Sequence, residues 1–344
     1  MKQTKEINMD KFKKVALTAL GASLAATSAN AVDVSVSGGS EIGYATGSSG
    51  YTSNDASNFG AGTGVSFSAS GDLDNGWTVS TTHATNNALS LTSSNITVDT
   101  GSLGKVRFNR IGAAATNAWD DVLPTAWEEA NDKAHTSMRG MRVADGVSSG
   151  SLSIILPAIE LGDLSLQVQG DYDPAANTGG GDPGATVARS ANAGSGHAIA
   201  AKASMAGITL YGAYAEEGTT KVTDGNDGQN VMGQIVAELG SVSVGYGEWY
   251  VDEKDGGVDY SATGFGISFN VNDDLSVSYG ELTDTREENS ATAALDTDIQ
   301  SMQIAYSMGG ATLKIAETEV DNAAYVSTTA GDKEGTTMML SLAF

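Results

Sequence analysis

The sequence predicts an all-β protein, a transmembrane antiparallel up-and-down β-barrel of about 16 strands. First, successive segments alternate between apolar side chains on one parity and small or polar side chains on the other, as strands with two different faces do. Second, the connections between these segments alternate between short turns and long polar loops. Third, 43 Gly and only 4 Pro favour strands with tight turns over helix bundles. The alternation is clearest in Leu164, Leu166 and Val168 against Ser165, Gln167 and Gln169, and in Val242, Val244 and Tyr246 against Ser241, Ser243 and Gly245.

The composition excludes several other classes of protein. No apolar run in the 344 residues approaches the length of a membrane-spanning helix, which excludes a helical membrane protein. The absence of cysteine excludes disulfides, thiolate metal sites and a cysteine nucleophile. A formal net charge of -24 argues against nucleic acid as a partner, because phosphate binding needs clustered cations.

The first 31 residues have the features of a cleaved export signal. Lys11, Lys13 and Lys14 precede an apolar stretch at residues 15–22, and Ala-Asn-Ala follows at 29–31. This order predicts a signal peptide that is cut after Ala31, with the barrel formed by residues 32–344. Met1 and Met9 are both possible starts.

The spacing of the connections gives sixteen strands, the first near residues 33–46 and the last at 335–344. The polar parity is mostly Ser, Thr, Gly, Gln and Asn, which suits a water-filled lumen better than the core of an exported β-sandwich or adhesin. Short turns are expected at 72–76, 160–163, 206–207, 240, 272–274 and 309–310, and long loops near 47–58, 111–136, 173–195, 216–228, 252–257, 284–296 and 321–334.

The C-terminus carries the most specific local signal. Met338, Leu340, Leu342 and Phe344 share one parity, and Phe344 is the last residue. An alternating apolar strand that ends in an aromatic residue resembles the strand that the barrel-assembly machinery recognises. The alternative is an ordinary edge strand that happens to end in Phe.

Three further blocks carry a resemblance to a family. Residues 104–110, Gly-Lys-Val-Arg-Phe-Asn-Arg, resemble the strand that leads into the third loop of the Gram-negative general porins, and residues 142–147 and 156–159 resemble the strands that return from it. The layout of the whole barrel is most similar to the sixteen-stranded trimeric porins of alphaproteobacteria. This resemblance implies that residues 111–136 fold inward and narrow the pore. It also implies a homotrimer in contact with outer-membrane lipid and lipopolysaccharide.

Charged residues are concentrated around this third loop. Because Val106 and Phe108 have the lipid-facing parity, Lys105 and Arg107 are expected to face the lumen. A basic wall opposite an acidic loop would set a transverse field across the constriction, and fixed charges of this kind select ions. The expected basic wall is Lys105, Arg107, Arg110, Arg139 and Arg142, with Lys133 nearby, and the expected acidic loop residues are Asp120, Asp121, Glu128, Glu129 and Asp132.

Two alternatives for these charges stay open. Arg107 and Arg142 could instead pin the loop to the wall through salt bridges, and the acids could belong to a solvated outer loop. Within the loop, Pro124 and the following residues to 130 predict a short helix with Pro in its first turn. Trp119 and Trp127 are expected to pack the loop against the wall, with sugar binding as the alternative.

Few residues point to a metal or to catalysis. Asp224, Asn226 and Asp227 have the spacing of a weak calcium loop, but the downstream Glu of an EF-hand is missing. The three histidines are too scattered to suggest a metal site. With no nucleophile arrangement or phosphate-binding glycine loop, the sequence predicts neither a cofactor nor an enzyme.

The predicted function is a passive outer-membrane diffusion channel for small hydrophilic solutes and ions. We expect a mild cation preference, because charges balance at the constriction while acidic outer loops gather cations over one Debye length, ~8 Å at physiological salt. The alternatives are a substrate-specific porin with a binding track and a non-conducting structural or adhesive outer-membrane barrel. The outer-loop acids are Glu216, Glu217, Asp224 and Asp227; Asp252, Glu253 and Asp255; and Asp284, Glu287 and Glu288.

Overall fold

A computed structural model describes residues 32–48, 57–134, 136, 138–142, 147, 149–174, 195–217, 228–253, 257–289 and 292–344. The predicted signal peptide lies outside the described residues. So do the calcium candidates Asp224, Asn226 and Asp227, and the side chain of Lys133.

Most of the described chain is β-strand. The strands are β1 (Val32–Gly47), β2 (Asn58–Asp72), β3 (Thr78–Thr85), β4 (Leu91–Asp99), β5 (Lys105–Ile111), β6 (Ser151–Ile155), β7 (Ile159–Leu161), β8 (Leu164–Asp173), β9 (Gly196–Met205), β10 (Ile208–Glu217), β11 (Gly228–Leu239), β12 (Val242–Asp252), β13 (Tyr260–Asn270), β14 (Leu275–Arg286), β15 (Leu295–Met308), β16 (Ala311–Asp321) and β17 (Lys333–Ala343). The described 3-10 helices are Ala115–Trp119, Ala130–Lys133 and Ala323–Tyr325. No helix among the described residues is long and apolar enough to cross a bilayer.

The strands form one closed sheet. Consecutive strands other than β6 and β7 pair in antiparallel register, and β1 also pairs with β17, from Gly39 opposite Ala343 to Gly47 opposite Gly335. β6 and β7 both pair with β8 and are separated around Pro157, which has no N–H to donate to the ladder. They therefore occupy one position in the wall, and the predicted barrel of 16 strands is confirmed.

Tight turns join the strands at one end of the barrel. Between β9 and β10, Ala206 and Gly207 have φ values of 51° and 80°, as a two-residue hairpin turn of the primed type requires. Gly240 and Gly309 also have positive φ, 72° and 65°, at the next turns on this side. The turns predicted at these three places are confirmed.

The helix predicted at residues 124–130 is wrong. The structure has 3-10 helices on either side of this segment, but the segment itself is irregular up to its last residue. Its main-chain N–H groups bond to the barrel wall instead of to one another. The Ala126 N–H donates to Ser278 Oγ at 2.8 Å, and the next two N–H groups donate to Gln303 Oε1 at 3.1 Å each.

The wall has an apolar outer face and a more polar inner face. Val231 is 46% exposed and Met302 is 59% exposed on the outer face, whereas their neighbours Met232 and Ser301 are buried. The main cluster of buried apolar side chains lies between the inner face and the segment that follows β5. The core of this barrel is thus inside the wall and to one side of the lumen.

We expect Gly104→Ala to destabilise the barrel. Gly104 has a φ of 92°, and a Cβ at this position would lie 2.3 Å from the carbonyl oxygen of Ile155. The left-handed backbone alone costs an L-residue about 1–2 kcal/mol, and the clash adds to that cost. Gly101→Ala is the matched control, since Gly101 has a φ of 72° but open space around it. Urea unfolding in detergent should show a lower midpoint for Gly104→Ala than for Gly101→Ala, and equal midpoints would contradict the clash.

Candidate functional site: a loop fastened inside the barrel

The segment after β5 runs along the inner face of the wall, and we refer to its described residues, 112–134, 136 and 138–142, as the inner loop. Its first 3-10 helix lies against β6, β8 and β9, and its second lies against β14, β15 and β16. The loop therefore covers the inner face from β6 to β16 and leaves the inner face of β1 to β4 facing it across the lumen.

The start of the inner loop is held by a buried carboxylate. Asp171 on β8 is 5% exposed and accepts hydrogen bonds from the Ala115 N–H at 3.1 Å, the Thr116 N–H at 2.8 Å and the Thr116 hydroxyl at 2.6 Å. These charge-assisted bonds offset the cost of removing the carboxylate from water. In the register, Arg107 lies opposite Ser153 and Ser153 lies opposite Asp171, so Arg107 is on the inner face and its charge acts on Asp171.

Two wall glutamines hold the middle of the loop through its main chain. Gln234 Nε2 donates to the carbonyl oxygens of Trp119 and Asp120 at 3.0 Å each. Gln303 accepts two loop N–H groups through Oε1, and its Nε2 donates to the carbonyl of Glu128 at 2.7 Å. Neither glutamine was predicted from the sequence. The available signal in the sequence was a long amide side chain at an inward position of a strand.

Glycines in the wall make room for the loop. A Cβ at Gly245 would lie 2.5 Å from Pro124 Cδ, and one at Gly266 would lie 2.8 Å from the Pro124 carbonyl oxygen. At Gly264 a Cβ would lie 2.8 Å from Leu123 Cδ1. Alternating glycines on β12 and β13 therefore mark where the loop approaches the wall most closely.

Aromatic side chains pack the loop against the wall. Trp119 is 7% exposed, and Lys202 Nζ lies 5.5 Å from its ring centroid. Lys314 Nζ lies 5.7 Å from the ring centroid of Trp127. Cations this close to an aromatic face are attracted to it. Both tryptophans thus contribute to wall contacts, as the sequence predicted.

A second buried carboxylate holds the far end of the loop. Asp284 on β14 is 0% exposed and accepts the N–H groups of Arg139 at 2.5 Å and Gly140 at 3.1 Å. Gly140 is required here because a Cβ would lie 2.6 Å from Asp284 Oδ1. Beside it, Arg142 Nη2 bonds to Glu253 Oε1 at 2.6 Å. This salt bridge is the pinning contact that the sequence allowed as an alternative for Arg142.

The five predicted wall cations do not form one basic wall. Lys105 pairs with Asp99 at 3.0 Å beside the turn between β4 and β5. Arg110 lies at a bulge, where pairing of β5 passes from Asn109 to Ile111. Because the inner loop crosses most of the barrel, Arg139 and Arg142 lie beside β12 to β14, far along the wall from Arg107 on β5.

The loop acids separate into a buried group and an exposed group. Carboxylate oxygens of Asp121, Glu128 and Asp132 lie within 4.8 Å of one another, and Asp121 and Asp132 are exposed. Glu129 instead turns toward the wall, is 5% exposed and accepts the Leu123 N–H at 3.3 Å. Burial, together with the charge of Asp121, raises the pKa of Glu129 to about 9, so this group is neutral at neutral pH.

Asp120 is half-buried, so its exposure is intermediate between those of the buried group and the exposed group. Burial raises the pKa of Asp120 to about 6, and the charges of Asp121 and Asp132 act in the same direction. The five predicted acids therefore do not contribute equally to the charge of the lumen at neutral pH.

The wall that faces the inner loop carries a row of uncharged polar groups. On the inner face, residues that lie directly opposite one another on neighbouring strands form a row across β1 to β6. On β5 this row is two residues away from Arg107. Within this row Ser68 and Thr82 hydrogen bond at 3.3 Å, and Asn109 Nδ2 donates to Ser151 at 3.0 Å. The row consists of Ser35, Ser68, Thr82, Asn95, Asn109 and Ser151.

The raised pKa of Glu129 predicts that alkaline conditions loosen the inner loop. The folded state keeps this proton up to about pH 9, whereas an unperturbed Glu loses it near 4.5. The stabilisation from the neutral carboxyl is therefore complete below pH 4.5 and is lost progressively as the pH rises toward 9. Glu129→Gln keeps the neutral shape, so its urea midpoint should fall less across this range than that of the wild type. Glu128→Gln is the control, and equal slopes for the wild type and both variants would contradict the prediction.

Comparisons with known proteins agree with this architecture. A family model for Gram-negative porins matches residues 16–322. A porin structure refined at 1.8 Å is similar with 14% identity and a TM-score of 0.65, covering 91% of this chain and 100% of that one. OmpT of Vibrio cholerae in its trimer form has 11% identity and a TM-score of 0.66, and an anion-selective porin from Comamonas acidovorans has 12% identity and a TM-score of 0.63; each covers 91% of this chain and 100% of that one. No curated protein matches the sequence.

Structural likeness at these identities establishes the fold, and the match of the family model over most of the chain establishes the family. A closed wall, a polar inner face and a loop along that face are the parts of a channel. Proteins of the porin family are channels and not enzymes. The chain belongs to the Gram-negative porin family and is a passive diffusion channel of the outer membrane.

Proposed function

We propose that the channel admits small hydrophilic solutes and ions and mildly prefers cations, with the inner loop as its constriction. The observation that carries this preference is the cluster of Asp121, Glu128 and Asp132, whose carboxylates gather within 4.8 Å on the inner loop. Of the cations expected to balance them, Arg142 pairs with Glu253 and Lys105 with Asp99. Fixed negative charge at a narrow point raises the local concentration of cations.

This proposal moves the source of the preference from the outer loops to the inner loop. Three of the outer-loop acids occupy other places. Glu216 is on the outer face, where it accepts from the Tyr214 hydroxyl at 3.2 Å. Asp284 is buried under the inner loop, and Glu253 pairs with Arg142. The predicted sign of selectivity is kept, but the charges of these three residues no longer support it.

The uncharged row supports passage of neutral hydrophilic solutes. Hydroxyl and amide groups such as those of Ser68, Thr82 and Asn95 replace hydrogen bonds to water without attracting either ion. This row carries no charge, and the basic wall predicted opposite the acids is not assembled. We infer that the transverse field is weaker than the predicted basic wall would have produced.

A homotrimer is supported by the outer face of β2 to β4. His83 on this face has Nδ1 2.9 Å from Ser94 Oγ and Nε2 3.2 Å from Thr81 Oγ1. Polar groups of this kind are unfavourable against lipid tails, so a protein surface that covers them is favoured. The similar OmpT structure is described as a trimer form, and we propose that this face of our chain lies in a trimer.

The outward row of the last strand fits lipid, and the strand itself fits a role in assembly. Met338, Leu340, Leu342 and Phe344 lie on one outward row and are 37%, 36%, 46% and 74% exposed. We propose that this face contacts outer-membrane lipid and lipopolysaccharide, and that the barrel-assembly machinery recognises the C-terminal strand. Export by a signal peptide cut after Ala31 completes this proposal.

The selectivity proposal predicts a shift in reversal potential when the acidic cluster is neutralised. In planar bilayers under a KCl gradient, the wild type should prefer K⁺, more strongly at low salt than at high salt. Asp121→Asn with Asp132→Asn should lower the permeability ratio by about a factor of two or more, because both charges lie within a Debye length of ions in the passage. Asp74→Asn, the same charge change in a short turn, should leave it unchanged.

Three results would contradict parts of the proposed function. Anion preference of the wild type at low salt would mean that the arginines dominate. Saturable current blocked by one solute would favour a substrate-specific porin. A folded barrel without conductance would favour the structural or adhesive alternative.

The trimer proposal predicts different effects for two outward arginines. Ala69→Arg places a cation on the outer face of β2, beside the His83 network, and should convert trimers into folded monomers. Ala237→Arg is the control on the outer face of β11, at a similar distance from its turn. An Arg facing lipid costs up to about 2–4 kcal/mol, so both variants bear a similar cost of insertion. Mass measurement in detergent decides, and a trimeric Ala69→Arg would place the interface elsewhere.

A further inference from the structure

The last long loop, residues 322–332 between β16 and β17, has a strained backbone. Asn322, Ala324 and Tyr325 have φ values of 53°, 54° and 58°, in the left-handed region that non-glycine residues rarely adopt. Strain of this kind persists where surrounding contacts hold it, and it is concentrated at functional sites. The contacts of this loop therefore indicate which function the strained backbone supports.

The left-handed backbone conformation directs the Tyr325 side chain into the barrel. The Tyr325 hydroxyl donates to Asp284 Oδ2 at 2.8 Å. Its ring lies 5.5 Å from that of Tyr260, and the guanidinium of Arg286 lies 5.3 Å from its centroid. The neighbouring Ala323 is 2% exposed and belongs to the same buried cluster as the inner loop. The last loop is thus packed inside the mouth.

The same carboxylate holds the far end of the inner loop. Asp284 accepts the N–H groups of Arg139 and Gly140 on one side and the Tyr325 hydroxyl on the other. A second contact joins the two loops directly, since the Ala324 N–H donates to Thr136 Oγ1 at 3.0 Å. Asp284 is 0% exposed, so the carboxylate that both loops share is removed from solvent.

We propose that the last loop is a second element of the constriction, and that it fixes the far end of the inner loop through Tyr325 and Asp284. The proposal rests on the inner loop being the constriction. Tyr325 and Asp284 act as positioning residues, because they touch the loop that borders the passage. Only if this junction is closed does the inner loop keep one position, and hence one width and one charge at the passage.

Single-channel recording of two variants tests the proposal. Tyr325→Phe removes the donor and keeps the ring, and Asp284→Asn removes the charge that accepts from both loops. Loss of one charge-assisted hydrogen bond should shift the balance from fastened to released loop by about tenfold or more. We expect partial closures of the open channel to become more frequent by a similar factor, with a higher size limit for neutral sugars in liposome swelling. Tyr306→Phe, on the outer face, is the control and should match the wild type.

A cysteine cross-link distinguishes positioning of the loop from a general structural role. The chain has no cysteine, so Thr136→Cys with Ala324→Cys introduces a single pair where the two loops meet. Added to Tyr325→Phe, this pair should restore wild-type current when oxidised and lose that effect on reduction. A destabilised barrel would not be rescued in this way.

Two outcomes would overturn the proposal while leaving the channel function intact. One is wild-type noise and size limit in Tyr325→Phe and Asp284→Asn barrels that fold, as shown by heat-modifiable migration. The other is altered noise that the oxidised cross-link does not correct. Failure of the proposed function would look different, because the wild type itself would then not conduct.

Discussion

Closure of the sheet between β1 and β17 is the constraint on which the rest of the structure depends. A lipid bilayer offers no water to an unpaired strand edge, so a sheet can span it only when the last strand pairs with the first. Here the pairing extends to the terminus, where the Gly38 N–H donates to the Phe344 carbonyl at 2.8 Å and the Phe344 N–H donates to the Gly38 carbonyl at 2.9 Å. Once the sheet is closed, the parity of a residue decides whether its side chain meets lipid or lumen.

A water-filled lumen leaves a barrel without an ordinary core, and the inner loop supplies one. Trp119 and Leu123 bring apolar surface to the inner face, where Met232, Trp249 and Leu282 cover it. The loop main chain needs hydrogen-bond partners in this position, since buried N–H groups are costly to leave unpaired. Wall carboxylates and amides provide these partners. The segment between the two 3-10 helices therefore does not need to form a helix of its own.

The sequence was sufficient for those features that depend on neighbours along the chain. Alternation and turn composition predicted the strands, their number and the turn at Ala206. The loop contacts were not predicted, because each joins residues far apart in sequence, such as Thr116 with Asp171 and Arg139 with Asp284. Inward acids on otherwise uncharged strand faces were the available signal. Asp284 was instead counted with the outer loops, because its strand continues further than the sequence pattern indicated.

The strength of a charge in this pore depends on whether it also holds the loop. Asp171 and Asp284 are buried among donors, Arg142 is bonded to Glu253, and Glu129 is neutral at neutral pH. A count of formal charges between residues 105 and 142 therefore overstates both the positive and the negative charge that ions in the pore meet. The same count suggests that the two charges balance at the constriction.

The cluster of like charges on the loop is tolerable because water reaches it. Asp121 and Asp132 are exposed to water, which screens their repulsion, while Gln234 and Gln303 bind the loop through its main chain. Main-chain fastening does not depend on which side chains the loop presents to the lumen. A barrel of this design can therefore change its ion selectivity by substitution at exposed loop positions, whereas the buried wall residues that hold the loop are constrained by geometry.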